Sequence, residues 1–173
     1  MNLEITVIRI ETFAPYGEIV PAGSVEEHLM DARIYARLRQ GGAPCQPRLR
    51  RQTARPPQMP FALHCLQRYR TTRCLCLPDP GSRQLIVVAR GGRFGPQDIR
   101  AFEFGGHLAL NLREDVWFGA FTPLGTAAGA MIIEASAAPV ETLVLATPLR
   151  ITSGTRQRVP EPKAPMRGHG IYG

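Results

Sequence analysis

The sequence predicts an all-β protein, either a sandwich or a closed barrel, and three observations lead there. Residues 61–92, FALHCLQRYRTTRCLCLPDPGSRQLIVVARGG, read as three consecutive short strands. Five more runs of strand length follow at 99–104, 107–112, 116–122, 130–135 and 141–146, with Gly105-Gly106, Gly125 and Gly129 between them. Helix signals are confined to short pieces near the N-terminus. About nine to eleven short strands with few helices is the pattern of a sheet closed on itself or packed on another.

Taken in order, Leu3, Ile5, Val7 and Ile8 begin a first strand, and residues 11–16 form a short turn of helix. Residues 16–20 leave it as an extended piece. Ser24-Val25-Glu26-Glu27 has the spacing of a capping box, which predicts one or two helical turns through Met30. Residues 33–39 could continue that helix or begin a strand, and a strand is the favoured reading. Residues 41–60 hold two glycines and five prolines and are expected to be loop or edge.

Within the central stretch, residues 61–70 and 73–77 are extended runs separated by Thr71-Thr72. Pro78-Asp79-Pro80-Gly81 is a turn, because its prolines lack a backbone donor and its glycine tolerates positive φ. Residues 84–90 contain Leu-Ile-Val-Val-Ala, too short for a helix and rich in β-branched side chains. The three are expected to pair as a meander. Residues 1–149 then make one domain, and 150–173 a polar tail rich in Pro and Arg that lacks the apolar content to fold alone.

At 173 residues and 44% hydrophobic content, the chain has the composition of a single globular domain. No apolar run approaches the ~20 residues of a membrane helix, and MNLEITVIRIE is a strand pattern carrying an early glutamate, unlike a signal peptide. Cys45, Cys65, Cys74 and Cys76 are too few and too clustered for a disulfide framework, so a reduced, cytoplasmic protein is expected. The net charge of +7 is carried almost wholly by arginine. Its two clusters, 48–55 and 150–167, lie in Pro-rich segments without interleaved aromatics, which reads as solvated surface, with no nucleic-acid and no membrane partner expected.

Three blocks resemble the ureidoglycolate lyase family. Phe13-Ala14-Pro15-Tyr16-Gly17-Glu18 is similar to its Phe-x-x-Tyr-Gly-Asp/Glu opening. His64, Leu66, Arg68, Pro78 and the strand 85–89 follow its His-x-Leu-Glu-Arg-His … Gln-x-Phe-x-Pro segment. Ile99-Arg100-Ala101-Phe102 through Asn111 to Val116-Trp117 resembles its third block, Leu-Arg-Ala-Phe … Asn-Tyr-His-x-x-Val/Thr-Trp-His-His-Pro. The resemblance implies a cupin-like double-stranded β-helix barrel, a homodimer, and release of urea and glyoxylate from ureidoglycolate.

The departures fall on the family's polar positions. Its motif Glu is Gln67, its His is Tyr69, and its Gln is read as Arg73. Its Tyr-His pair becomes Leu112-Arg113, and the His-His-Pro after the tryptophan becomes Phe118-Gly119-Ala120. The acid–base inventory is therefore rebuilt.

The four histidines, His28, His64, His107 and His169, make no His-x-His pair of the kind a cupin metal site uses, so no metal and no cofactor are expected. Cys74 and Cys76, two apart in a strand, read as small core residues rather than metal ligands. Tyr69, Arg73, Arg113 and Glu103 are the catalytic candidates: a proton donor, two anion stabilisers and a general base. Gln67 and Cys65 share a strand face with Tyr69 and, with Trp117 and Phe118, are the substrate-binding candidates. Asp115 and Glu134 are further carboxylates near these blocks. The alternative for each polar candidate is an ordinary barrel rim, and for Phe118 a plug in a disused pocket.

The expectation is a metal-independent enzyme of lyase, isomerase or cyclase type that acts on a small molecule more apolar than ureidoglycolate. A working ureidoglycolate lyase of allantoin degradation and a non-catalytic binding barrel are the alternatives.

Overall fold

The structure, a computed structural model, describes residues 1–23, 47–70, 73–135 and 140–153. Its elements in chain order are β1 (Asn2–Val7), α1 (Ile10–Phe13), β2 (Gly17–Pro21), β3 (Pro47–Ala54), β4 (Phe61–Tyr69), β5 (Cys74–Pro78) and β6 (Arg83–Ala89). After a 3-10 turn at Pro96–Asp98 come β7 (Arg100–Gly105), β8 (Leu108–Leu112), β9 (Trp117–Phe118), β10 (Thr122–Pro123), β11 (Ala128–Ala135) and β12 (Val140–Thr152). The all-β expectation holds.

One sheet runs β10-β6-β7-β1-β12-β4-β9, and β9 pairs back to β6. Six strands thus close into a ring, sealed where Phe118 pairs with both Gln67 of β4 and Val88 of β6. The ring is mixed: β1 is parallel to β12 and to β7. A second sheet, β2-β8-β5-β11-β3, is antiparallel throughout and lies against one side of the ring.

Side-chain alternation assigns the cores. Leu3, Leu66, Leu85, Ala101, Trp117 and Ile151, one from each ring strand, belong to a single buried cluster that fills the ring. Ile86, Val88, Phe102, Phe104 and Phe118 point the other way and meet Cys74, Cys76, Leu110, Leu112, Ala130 and Ile132 of the second sheet. Strand β6 is therefore buried on both faces, which is why it reads as an unbroken apolar run. Its fully buried Ile86 and Val88 each contribute on the order of 1.5–3 kcal/mol through burial.

Several expectations are corrected. The stretch 61–90 is no meander: β4 and β6 lie in the ring and β5 in the second sheet, and none pairs with another. Each link crosses between the layers, because β5 must bury its cysteine face against the ring while its leucines face away. The strand expected over 116–122 is two two-residue strands, Trp117–Phe118 and Thr122–Pro123, with residues 119–121 between them. The Pro-rich stretch 41–60 meets its expectation as loop or edge: it contains an eight-residue strand, β3, at the sheet edge, with Pro56, Pro57 and Pro60 following it. Strand β12 runs past residue 149 to Thr152 and buries Ile151 completely in the ring. The helix expected at 24–30, the strand at 33–39 and most of the tail lie outside the described residues.

A register shift between Val144 and Leu149 of β12, opposite Cys65 and Leu63 of β4, resets the alternation of β4. Leu63 and Leu66 both join the ring cluster as a result. Residues 65, 67 and 69 are left on the side facing away from it.

Candidate functional site

At the C-terminal end of β4, Tyr69 enters the gap between the ring and the second sheet and is only 6% exposed. Its phenol donates a hydrogen bond to Oε2 of Glu134 on β11, in the facing sheet, and Glu134 is itself 7% exposed. Oε1 of Glu134 lies 3.6 Å from Nε of Arg50 on the edge strand β3. The β3–β11 register creates this contact, since Arg50 pairs with Ile132 and sits one step diagonally from Glu134. Phe118 stacks on the Tyr69 ring at 6.0 Å, with Phe121 beyond it at 6.2 Å.

The electrostatics follow from this enclosure. Burial first, then the hydrogen bond to Glu134, pushes the Tyr69 phenol well above its ordinary value. The Cys74 thiol, on β5 in the same gap, is pushed up to about 12, mainly by burial and secondly by the Glu134 charge. Both groups stay protonated at neutral pH. Neither can serve as a free anion.

Chemically, the O–H of Tyr69 is already committed to Glu134, so the phenol lone pairs are what it can offer an incoming molecule. The pair can relay a proton: Oη accepts one as its own passes to Oε2. A discrete phenolate is never needed, which suits the raised pKa. Both carboxylate oxygens of Glu134 have partners, Tyr69 on one and Arg50 on the other. Among the described residues no three His, Cys, Asp or Glu side chains gather as a metal set.

The structure brings Tyr69, Phe118 and Gln67 together, and Gln67 is the exposed cross-strand partner of Phe118. Cys65 is half-buried on the same strand side. The other candidates lie elsewhere. Trp117 points into the ring, beneath Arg68 and beside Phe94. Arg73 is buried on the opposite face of its strand, 3.3 Å from Glu18 and 3.4 Å from Glu114. Counting back from Pro78, the five-residue Gln-x-Phe-x-Pro motif begins at Cys74, not at Arg73, and alternation sends these neighbours to opposite faces. Arg113 is exposed after β8, with its backbone N–H on the Tyr16 carbonyl at 2.9 Å. Glu103 pairs with Arg83 at 2.6 Å in a separate groove of about 570 Å3, which His107 also lines.

Arg50 is the residue that sequence reasoning missed, because it looked like one member of a solvated basic cluster. A signal existed for its partner: Glu134 is the single charge in the apolar strand AGAMIIEA.

These positions coincide with those at which the sequence departs from the ureidoglycolate lyase motifs: 67, 69, 74 and 118 lie together where β4, β5 and β9 meet. A family model described as ureidoglycolate lyase matches residues 1–152. The chain belongs to the ureidoglycolate lyase family. A curated relative, ureidoglycolate lyase 2 of Rhizobium meliloti (strain 1021), is 24% identical over 128 residues, covering 70% of this chain and 78% of that protein. Among solved structures, RmlC from Streptococcus suis in complex with dTDP-D-xylose aligns with a TM-score of 0.41 at 11% identity. That alignment covers 62% of this chain and about half (51%) of the other. Other residues of the family blocks share the same core cluster: Phe13, Tyr16 and Phe102 pack ring against ring with centroids 5.8–6.2 Å apart.

Proposed function

We propose that this member of the ureidoglycolate lyase family is a small-molecule enzyme of lyase type whose proton transfers run through Tyr69 and Glu134 without a metal. The observation that carries the reading is the Tyr69–Glu134 hydrogen bond, buried beneath Phe118 and flanked by Arg50. In an elimination, a proton leaves the substrate, the bond to the leaving group breaks, and the leaving group is protonated. Tyr69 Oη takes the first proton as Glu134 receives the phenol's own. The same relay, run in reverse, returns a proton to the leaving group. Arg50 has a side chain 45% exposed, so it can face the developing oxyanion while it holds Glu134. Phe118 and Phe121 make the surroundings of Tyr69 apolar, which favours a substrate greasier than ureidoglycolate. Isomerase or cyclase chemistry uses the same relay.

Incubation with ureidoglycolate and assay of glyoxylate is the deciding experiment. Little or no release is expected, with no change on adding a chelator. Turnover in the usual enzyme range of roughly 1–10³ per second would establish the second reading, a working ureidoglycolate lyase, which the family match over residues 1–152 favours. A cytoplasmic homodimer completes the proposal. A monomeric mass by light scattering at micromolar concentration would count against the dimer.

A further inference from the structure

Arg68 and Tyr69 are neighbours on β4 and point to opposite faces of the strand. The guanidinium of Arg68, 11% exposed, reaches three separate segments. Its Nε and Nη2 donate to Oε2 of Glu141 on β12 at 2.9 and 2.8 Å, from the residue directly across the ladder. Its Nη1 donates to Oδ1 of Asp115, in the turn between β8 and β9, at 2.6 Å. Its Cζ lies 4.3 Å from the centre of the Trp117 ring on β9.

Asp115 is held from a second side. It has φ of 62°, a left-handed conformation uncommon outside glycine, asparagine and aspartate. Its backbone N–H donates to the carbonyl of Tyr69 at 2.7 Å. Gly91 abuts the same turn, and a Cβ there would run into the Asp115 backbone and side chain. The next residues are Val116, Trp117 under Arg68, and Phe118 on the Tyr69 ring. The turn is thus fastened to β4 twice, through the backbone of Tyr69 and through the side chain of Arg68.

We infer that Arg68 is a positioning residue for the Tyr69 site: its guanidinium locks residues 113–118 against β4 and β12, and that lock sets the Phe118–Tyr69 stack. Its importance for catalysis rests on the reading of Tyr69 given above, whereas its geometric role does not. Only arginine supplies two in-plane hydrogen-bond directions together with a flat face for indole, so lysine cannot replace it. Asp115 and Glu141 are partly exposed, so each ion pair adds little stability alone. The network matters for placement.

The test uses the ionisation of Tyr69, followed by near-ultraviolet absorbance as pH is raised. Glu134 of β11, Cys74 of β5 and Arg50 of β3 are the titratable groups that face it. The chain has four tyrosines. With the stack in place Tyr69 is silent, so Tyr69→Phe leaves the curve below about pH 11 unchanged. In Arg68→Met the turn loosens and water reaches the phenol, which removes the burial that is the largest cause of its raised pKa, so Tyr69 ionises at lower pH than in the unsubstituted protein. Arg68→Met should therefore titrate one more tyrosine than Arg68→Met/Tyr69→Phe, and emission of the single tryptophan should shift. Arg68→Lys should behave as Arg68→Met does. A shift in Trp117 emission with Tyr69 still silent would overturn the inference, because Arg68 would then be packing alone. If Arg68→Met fails to fold, Asp115→Asn decides: asparagine keeps the left-handed turn but loses the charge. Its Tyr69 should become titratable, and silence there overturns the inference too. Unchanged turnover in Tyr69→Phe, by contrast, would remove the catalytic reading and leave the positioning role of Arg68 standing.

Discussion

Tyr69 and Glu134 stand 65 residues apart in the chain and meet across the gap between two sheets, where the phenol donates to the carboxylate. Both are buried, and the carboxylate's other polar contact is the Arg50 guanidinium 3.6 Å from Oε1. Removing one leaves the other buried with a lost partner, which costs more than the hydrogen bond itself contributes.

Tyr69→Phe tests that relation. It strips the donor from a buried carboxylate, so a loss of about 1–3 kcal/mol is expected. At roughly 2–4 °C per kcal/mol for a chain of this size, calorimetry should show Tm falling by several degrees. On the true substrate, both Tyr69→Phe and Glu134→Gln should slow turnover by about 10²–10⁴-fold, the usual worth of a positioned proton-transfer group.

Thiol reactivity should follow burial. Cys74 is held at about 12 and Cys76 is raised well above the ordinary range, so neither offers appreciable thiolate at pH 8. In a Cys45→Ser background, a thiol reagent should titrate one fast cysteine per folded chain, and Cys65→Ser should abolish it. Rapid labelling of Cys74 would mean that the gap between the sheets opens readily.

Alkaline stability has a definite sign. Cys74 binds its proton more tightly folded than unfolded, so its contribution is complete below the unfolded value near ~8.5 and is lost as pH rises toward about 12. Denaturant midpoints should fall across that window, and Cys74→Ala should flatten the fall by up to roughly 1.4 kcal/mol per pH unit. Glu141 acts oppositely. Its carboxyl is lowered by hydrogen bonds first from Arg68 and then from Arg70, so its contribution is present above the ordinary glutamate range and fades as pH falls through the lowered value.

Asn111 offers a stabilising change. Its side-chain oxygen is buried on β8 with no hydrogen-bond partner among the described residues. Asn111→Leu keeps the branched shape and the number of side-chain heavy atoms and removes the orphaned acceptor, so Tm should rise by a few degrees, corresponding to about 1–3 kcal/mol. A fall would show that the amide is engaged after all.

The sequence by itself determined the strand content and the apolar faces. The run Leu85–Ala89 carries no polar alternation because both of its faces are covered, and Cys74 with Cys76 occupies one face because a strand has a period of two. Departures from the family motifs at 67, 69 and 118 were also legible, and the structure places these residues side by side. What the tertiary structure decided was which strands become neighbours. Strands β4, β5 and β6 are consecutive, yet β5 leaves for the other sheet, because ring closure is fixed by pairings such as Gln67 with Phe118 that no local pattern encodes. The same physics joined Arg50 to Glu134 and Glu134 to Tyr69. Register between distant strands aligns these side chains, and the cost of burying them alone holds them together.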